Sequence, residues 1–315
     1  MEELLDRVSA HGPYGYRPHL VPAIVFLVVY AIAAAAHIFL GVKHLKQGRL
    51  WLPTLAFGCV VEAAAMALRV LGHYQPTNIN AYIAQQVMSV LTPAFFAAAH
   101  FSVGGLALVL FGAAYAPRKV APRRILPFFV TVDVLSLILQ GTGSGMAAVA
   151  EQQEPPQSTF TGAWIVVGGL IIQLMGYLAF NALAVVFLLR VRRAPPTSPH
   201  WTPRFRLFLL AVWLSSLLVL LRSAFRTAEM LKGWIGPIAT VEVWFYCLDA
   251  LPVSLAVLIL VPFYPARFLP DDIRLGAHCT NDEELGAVDE LKGTSSAPLS
   301  PAAASRPLSR HSSAS

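Results

Sequence analysis

Charge is scarce in this chain: only 13% of its 315 residues are Asp, Glu, Lys or Arg, against about 25% in an ordinary soluble domain. That shortage excludes water as the solvent for most of the length. The 56% hydrophobic content and mean hydropathy of +0.61 agree. Cysteine is nearly missing as well. Cys59 and Cys247 fall within apolar runs and Cys279 in a polar stretch, so no extracellular disulfide framework can be drawn. No Cys/His spacing suits zinc, no N-x-Ser/Thr sequon occurs, and no tandem repeat is visible. The net charge of +6 does not point to nucleic acid, because the basic residues sit in short loops between apolar runs. Anionic lipid headgroups are the partners such loops meet.

What is abundant is long apolar runs. A transmembrane helix needs about 20 predominantly apolar residues to cross the hydrocarbon core. Seven stretches qualify, at approximately 21–41, 52–72, 82–115, 125–149, 162–189, 205–228 and 242–264. The expected fold is therefore an all-α membrane protein, a bundle of seven transmembrane helices over 21–266. The third stretch exceeds one crossing, so it is tilted, bent at Pro93, or helical beyond the membrane at Gln85-Gln86. The first 20 residues carry too many acids for a cleaved signal and read as an extracellular segment. Residues 267–315 are acidic, then rich in Ser, Ala and Pro, and read as a disordered cytosolic tail. Serines near Arg306 and Arg310 make that tail a candidate kinase substrate.

Sidedness follows from Lys and Arg in the short loops. The first loop carries Lys43, Lys46 and Arg49, the third Arg118, Lys119, Arg123 and Arg124, and the fifth Arg190, Arg192, Arg193 and Arg204. Loops 73–81 and 150–161 carry none, and the sixth only Lys232. This pattern places the N-terminus outside and the C-terminus in the cytosol.

Charged side chains inside a span cost about 2.5–3.5 kcal/mol each on insertion scales, so they face the bundle and pair or line a wet cavity. Here they are numerous. Glu62 and Arg69 lie seven apart on span two, and Asp133, Ser136 and Gln140 share one face of span four. Gln173 sits near the centre of span five. Span six ends in Arg222, Arg226 and Glu229, and span seven begins with Glu242, Tyr246 and Asp249 at the same spacing. Counting outward from the joining loop predicts Arg222 level with Asp249, Arg226 near Tyr246, and Glu229 opposite Glu242. Acids outnumber arginines, so some carboxylates must be protonated, hydrated or paired with a ligand. The set predicts a polar interior opening outward. Buried ion pairs that only fix helix register are the competing explanation. His37 and His100 lie within spans but share no ligand spacing on one helix, so they read as packed or cavity-lining side chains. Trp51, Trp164, Trp201 and Trp234 read as interfacial anchors.

These motifs resemble the fungal lipid-translocating exporter family over residues 13–266. Asp133-x2-Ser136-x3-Gln140-x2-Gly143-x-Gly145 is similar to its fourth-span signature, and Gly169-Leu170-x2-Gln173 to its fifth. Arg222-x3-Arg226-x2-Glu229-x3-Gly233, then Glu242-x3-Tyr246-x2-Asp249-x2-Pro252, resembles the last two spans. The chain departs from the family at Ala65-Met66, where a Gly-Tyr pair is usual, at Phe101 in place of tyrosine, and at Gly105-Leu106 in place of Gly-Arg. The resemblance implies seven helices and a role in moving or sensing amphiphilic lipids such as sphingoid long-chain bases. It also implies tolerance of membrane-active toxicants, a plasma-membrane location, and no ATP use. The chain indeed lacks a G-x4-G-K-[ST] loop, and no cofactor is expected.

Three functions compete on this reading. A transporter of a cationic or zwitterionic amphiphile would use surplus carboxylates among Glu62, Asp133, Glu242 and Asp249 for an amino headgroup. A seven-helix lipid sensor fits the topology, but the chain lacks Asp-Arg-Tyr at the end of span three and Asn-Pro-x2-Tyr in span seven. An intramembrane hydrolase rests only on the histidines and Asp133, and an enzyme is not expected.

Overall fold

The computed structural model describes residues 12–44, 52–111, 122–153, 158–193, 201–233, 236 and 238–268. All regular structure among these residues is helical. The chain divides into a unit through Ile273 and a second unit, Arg274–Ser315, which lies outside the described residues. Of the expected tail only Arg267 and Phe268 are described, and Trp51 and Trp234 also fall outside.

Seven helices are long and apolar enough to cross a membrane, and they coincide with the seven predicted runs. They are α1 (Leu20–Lys43), α2 (Leu52–Tyr74), α3 (Ile79–Phe111), α4 (Pro122–Gln152), α5 (Phe160–Arg193), α6 (Pro203–Leu231) and α7 (Glu242–Ile259). Large apolar side chains such as Val21 (73% exposed), Phe39 (68%) and Val149 (60%) face outward. In water such a surface would be unstable, whereas in lipid it is solvated. The chain is a multi-pass integral membrane protein.

Contacts between helix ends show the alternation of direction. On one face of the bundle, Phe111 of α3 stacks edge-on against Trp201 and Phe205 at the start of α6, and Phe208 stacks on Phe268 after α7. On the opposite face, the segment before α1 meets the end of α2 and the starts of α3 and α7, as the contacts of Tyr14, His19 and His73 show. We call this the N-terminal face. α6 starts at Thr202, whose hydroxyl accepts a hydrogen bond from the Phe205 amide (3.2 Å), with Pro203 in the first turn.

α4 and α5 approach most closely through glycine. A Cβ on Gly143 would sit 2.6 Å from the Gly162 carbonyl oxygen, and one on Gly162 equally close to that of Gly143. Small residues let backbones touch where lipid supplies no hydrophobic drive between helices. Gly169 belongs to the same seam, against Gln140 and the Ser136 carbonyl, while Gly168 faces open space.

Two helices are irregular. α3 runs unbroken through Pro93. In α7 the stretch Phe245–Ala250 is π-helical, with the Leu251 amide donating to the Tyr246 carbonyl five residues back. Pro252 follows directly and has no amide hydrogen to continue an α-helical ladder.

Candidate functional site

The charged residues of α2, α6 and α7 converge in the half of the bundle next to the N-terminal face, in two connected layers. The deeper layer is built on Asp249. Its two oxygens accept from Arg222 Nε and Arg226 Nη2, both at 2.5 Å. Arg226 Nη1 also donates to Glu229 Oε2 at 2.9 Å and to Gln86 Oε1 at 3.3 Å. Arg222 Nη2 donates to the Ser89 carbonyl (2.5 Å) and hydroxyl (2.9 Å), and lies 3.5 Å from Glu62 Oε1. Arg222, Asp249 and Glu62 are all fully buried. A guanidinium fork is suited to such a site, since it serves several acceptors in one plane and stays charged.

The shallower layer is built on Arg69, at the end of α2. Its Nη2 donates to the Tyr16 hydroxyl (2.6 Å) and Glu242 Oε1 (3.1 Å), and its Nε to the Tyr246 hydroxyl (3.1 Å). The guanidinium carbon sits 4.0 Å from the Phe245 ring centroid and within 6 Å of Tyr14, Tyr16 and Tyr246, an aromatic box of the kind that holds cations. Glu242 in turn accepts from the His19 amide at 3.0 and 3.1 Å, and its carboxylate lies 2.5 Å from His19 Nδ1. A carboxylate at the start of α1 also complements the helix dipole there.

Several sequence expectations need correction. Arg222 does meet Asp249, but Arg226 reaches Asp249 as well and not Tyr246, which serves Arg69 instead. Glu229 and Glu242 do not face each other, each having its own arginine. The cause is the π-helical stretch, which adds a residue to the turn between Tyr246 and Asp249 and so alters their relative facing. The expected opening on the N-terminal face is covered by the segment Gly12–His19. Tyr14 packs edge-on against Tyr82 and donates to Gln85 Oε1 (3.2 Å), and Arg17 Nε donates to the His73 carbonyl (3.1 Å). What remains beside Arg69 is a cavity of about 10 Å³, the space of one water, among Tyr14, Tyr16, Tyr82, Gln86, Glu229 and Phe245. Burial holds the Tyr14 and Tyr16 phenols above their ordinary pKa, with Arg69 opposing, so both stay neutral at physiological pH.

Asp133, Ser136, Gln140 and Gln173 form a separate cluster between α4 and α5. Gln173 Nε2 donates to Asp133 Oδ1 (3.3 Å) and Gln140 Nε2 to Gln173 Oε1 (3.1 Å), while the Ser136 hydroxyl donates to the Asp133 carbonyl of its own helix (2.7 Å). They do not join the arginines. His100 lies elsewhere again, bridging Tyr177 and Ser215. The Ser215 hydroxyl donates to the Ala256 carbonyl (3.0 Å), so it accepts from His100 Nε2 (2.9 Å), and Nδ1 accepts from the Tyr177 hydroxyl (2.7 Å). Four helices are tied by that chain. Among the described residues no three of His, Cys, Asp and Glu are grouped to hold a metal ion.

Sequence reasoning missed the contribution of α3. Gln85, Gln86, Ser89 and Thr92 are buried along one side of it and supply partners to both arginines and to Tyr14. The i, i+4, i+7 spacing of Gln85, Ser89 and Thr92 was the available signal. Gln85 and Gln86 therefore lie inside the bundle. Tyr14, Tyr16 and His19 were missed too, and nothing in their local composition marks them.

The fold and the buried charge define a polytopic membrane protein with an ionic core. Residues 55–272 match the RTA1-like protein family, and the chain belongs to it. It is 29% identical to the protein RTA1 of Saccharomyces cerevisiae over 277 residues, covering 80% of this chain and 84% of the relative. It is 24% identical over 301 residues to the sphingoid long-chain base transporter RSB1 of S. cerevisiae, covering 84% and 76%. The protoporphyrin uptake protein 1 of S. cerevisiae is 29% identical over 201 residues, 64% of either chain. No solved structure matches.

Proposed function

We propose that this protein is a membrane transporter that carries amphiphilic lipids, sphingoid long-chain bases or similar molecules, across the bilayer. The observation that carries the reading is the buried ionic core, in which four carboxyls, Glu62, Glu229, Glu242 and Asp249, face three arginines. A core built only to fix register gains little from surplus acid, because each extra buried charge must be desolvated. A cationic headgroup supplies what the surplus lacks. The relationship to a sphingoid long-chain base transporter and to an uptake protein for another amphiphile supports the same class.

The hydrocarbon part of such a cargo needs an apolar surface. Towards the opposite face, α3, α5 and α6 leave an apolar cavity lined by Val103, Ala107, Phe180, Phe187, Val212 and Trp213. With the N-terminus outside, as the loop charges argue, the ionic core lies in the outer half of the bilayer and the apolar cavity in the inner half. The plasma membrane is the location consistent with a role in toxicant tolerance.

The test is movement of a fluorescent sphingoid base across proteoliposomes containing purified protein, without ATP. Movement abolished by Asp249→Asn in folded protein supports a path through α6 and α7. No movement from folded wild-type protein overturns the transporter reading in favour of a lipid sensor.

A further inference from the structure

The deeper layer of the ionic core does not balance as drawn. Arg222 and Arg226 contribute two positive charges, while Asp249, Glu229 and Glu62 contribute three carboxyls. Asp249 and Glu229 are held at short range, at 2.5 and 2.9 Å from guanidinium nitrogens. Glu62 is not. Its Oε1 lies 3.5 Å from an Arg222 nitrogen that already serves both acceptors of Ser89, and its Oε2 is buried with no hydrogen-bond partner.

The groups facing Glu62 come from five helices. They are Tyr30 of α1, Cys59 on its own helix α2, Thr92 of α3, Arg222 and Arg226 of α6, and Asp249 of α7. The two hydroxyls among them have their hydrogens committed elsewhere. Tyr30 donates to the Ala250 carbonyl at 2.7 Å and Thr92 to the Met88 carbonyl at 2.8 Å. Neither hydroxyl therefore has a hydrogen free for the carboxyl. Asp249 adds negative charge on the far side of Arg222. An ionised carboxylate requires donors and finds none in these hydroxyls, whereas a protonated one leaves the layer electrically neutral.

We propose that Glu62 is a proton-binding site, protonated at rest, that releases its proton when a cationic headgroup enters the ionic core. The exchange is balanced in charge: one ammonium group arrives, one proton leaves, and the carboxylate left behind becomes the counter-ion. No bond other than the O–H bond of Glu62 breaks, and no energy source beyond a proton gradient is needed. The second half of the proposal rests on the transporter reading above. The resting protonation state of Glu62 does not.

The test uses the full-length protein in nanodiscs and infrared spectroscopy in the protonated-carboxyl region, with sphingosine as the cationic probe and a fatty acid as the anionic control. Glu62→Gln, a neutral isostere of the protonated acid, is expected to fold with an unchanged melting temperature and to lose a carbonyl band that shifts in heavy water. Sphingosine is expected to remove that band from the wild type and to release protons stoichiometrically into a weakly buffered medium, and fatty acid to release none. A band unaffected by Glu62→Gln overturns the proposal. If that variant does not fold, the wild type decides alone, and absence of a protonated-carboxyl band that sphingosine removes overturns the proposal. Bound sphingosine with no proton release overturns the exchange. Absence of lipid movement with the band and the release intact counts against transport alone.

Discussion

Pro93 and Arg222 meet through a single carbonyl. Proline has no amide hydrogen, so residue 93 cannot bond the Ser89 carbonyl one turn back, and Arg222 Nη2 donates to that oxygen at 2.5 Å instead. The Ser89 hydroxyl completes the seat for both arginines, at 2.9 and 3.0 Å. A helix defect in α3 thus becomes a docking point for α6.

Ser89→Ala should accordingly cost about 1–3 kcal/mol, since it strips one acceptor from each of two buried cations. Pro93→Ala restores an amide competitor for the carbonyl while relieving the proline ring, and should cost less than Ser89→Ala. Thermal unfolding in detergent ranks the two, and the reverse order would show that Arg222 depends on the carbonyl more than the two arginines depend on the hydroxyl.

Asp249→Ala should be the most damaging single change in the core. Its two oxygens hold both deep arginines. Removing one partner of a buried pair costs about 3–5 kcal/mol because the remaining charge is orphaned. A loss of monodisperse protein in size-exclusion chromatography is expected, with Asp249→Glu intermediate.

The α4–α5 seam offers a paired comparison. Gly162→Ala puts a methyl 2.6 Å from the Gly143 carbonyl oxygen and should destabilise by about 1–3 kcal/mol. Gly168→Ala, six residues on and facing open space, should be neutral or stabilise by up to about 1 kcal/mol through helix propensity. Equal melting temperatures for the two variants would contradict the packing.

The Gly12–His19 segment carries its own pH signature. Burial raises the Tyr14 and Tyr16 pKa values above those of the undocked chain. The docked form therefore binds protons more tightly, and its stability is fully present below about pH 10 and falls as pH rises beyond that. Ultraviolet titration should show fewer late-ionising tyrosines in the Tyr14→Phe, Tyr16→Phe double variant than in the wild type. An unchanged number of late-ionising tyrosines in the double variant, with Tyr14 and Tyr16 of the wild type ionising at about pH 10, would mean that the segment does not dock.

The seven spans were legible because apolar length is a property of each run by itself, and so was the meeting of Arg222 with Asp249, set by depth from a shared loop. The partners of Tyr246 and Glu242 were not legible, because a π-helical turn shifts facing without leaving a pattern in composition. The role of Ser89 was hidden for a different reason. It depends on a hydrogen that Pro93 does not have, and on a cation 133 positions later in the chain. Tyr16 and His19 lie in a polar lead-in whose composition is that of any solvated loop, and only the fold brings them to Arg69 and Glu242.

The π-helical stretch of α7 also sets the two ends of that helix at a relative facing that an unbroken α-helix would not give. A π turn contains one residue more than an α turn, and expelling that residue would rotate everything before it by about 100° relative to Leu251–Ile259. Glu242 lies before the stretch and Tyr246 at its start, whereas Asp249 lies near its end. That difference in facing lets Glu242 and Tyr246 meet Arg69 while Asp249 meets the two deep arginines, so one helix serves both layers of the ionic core.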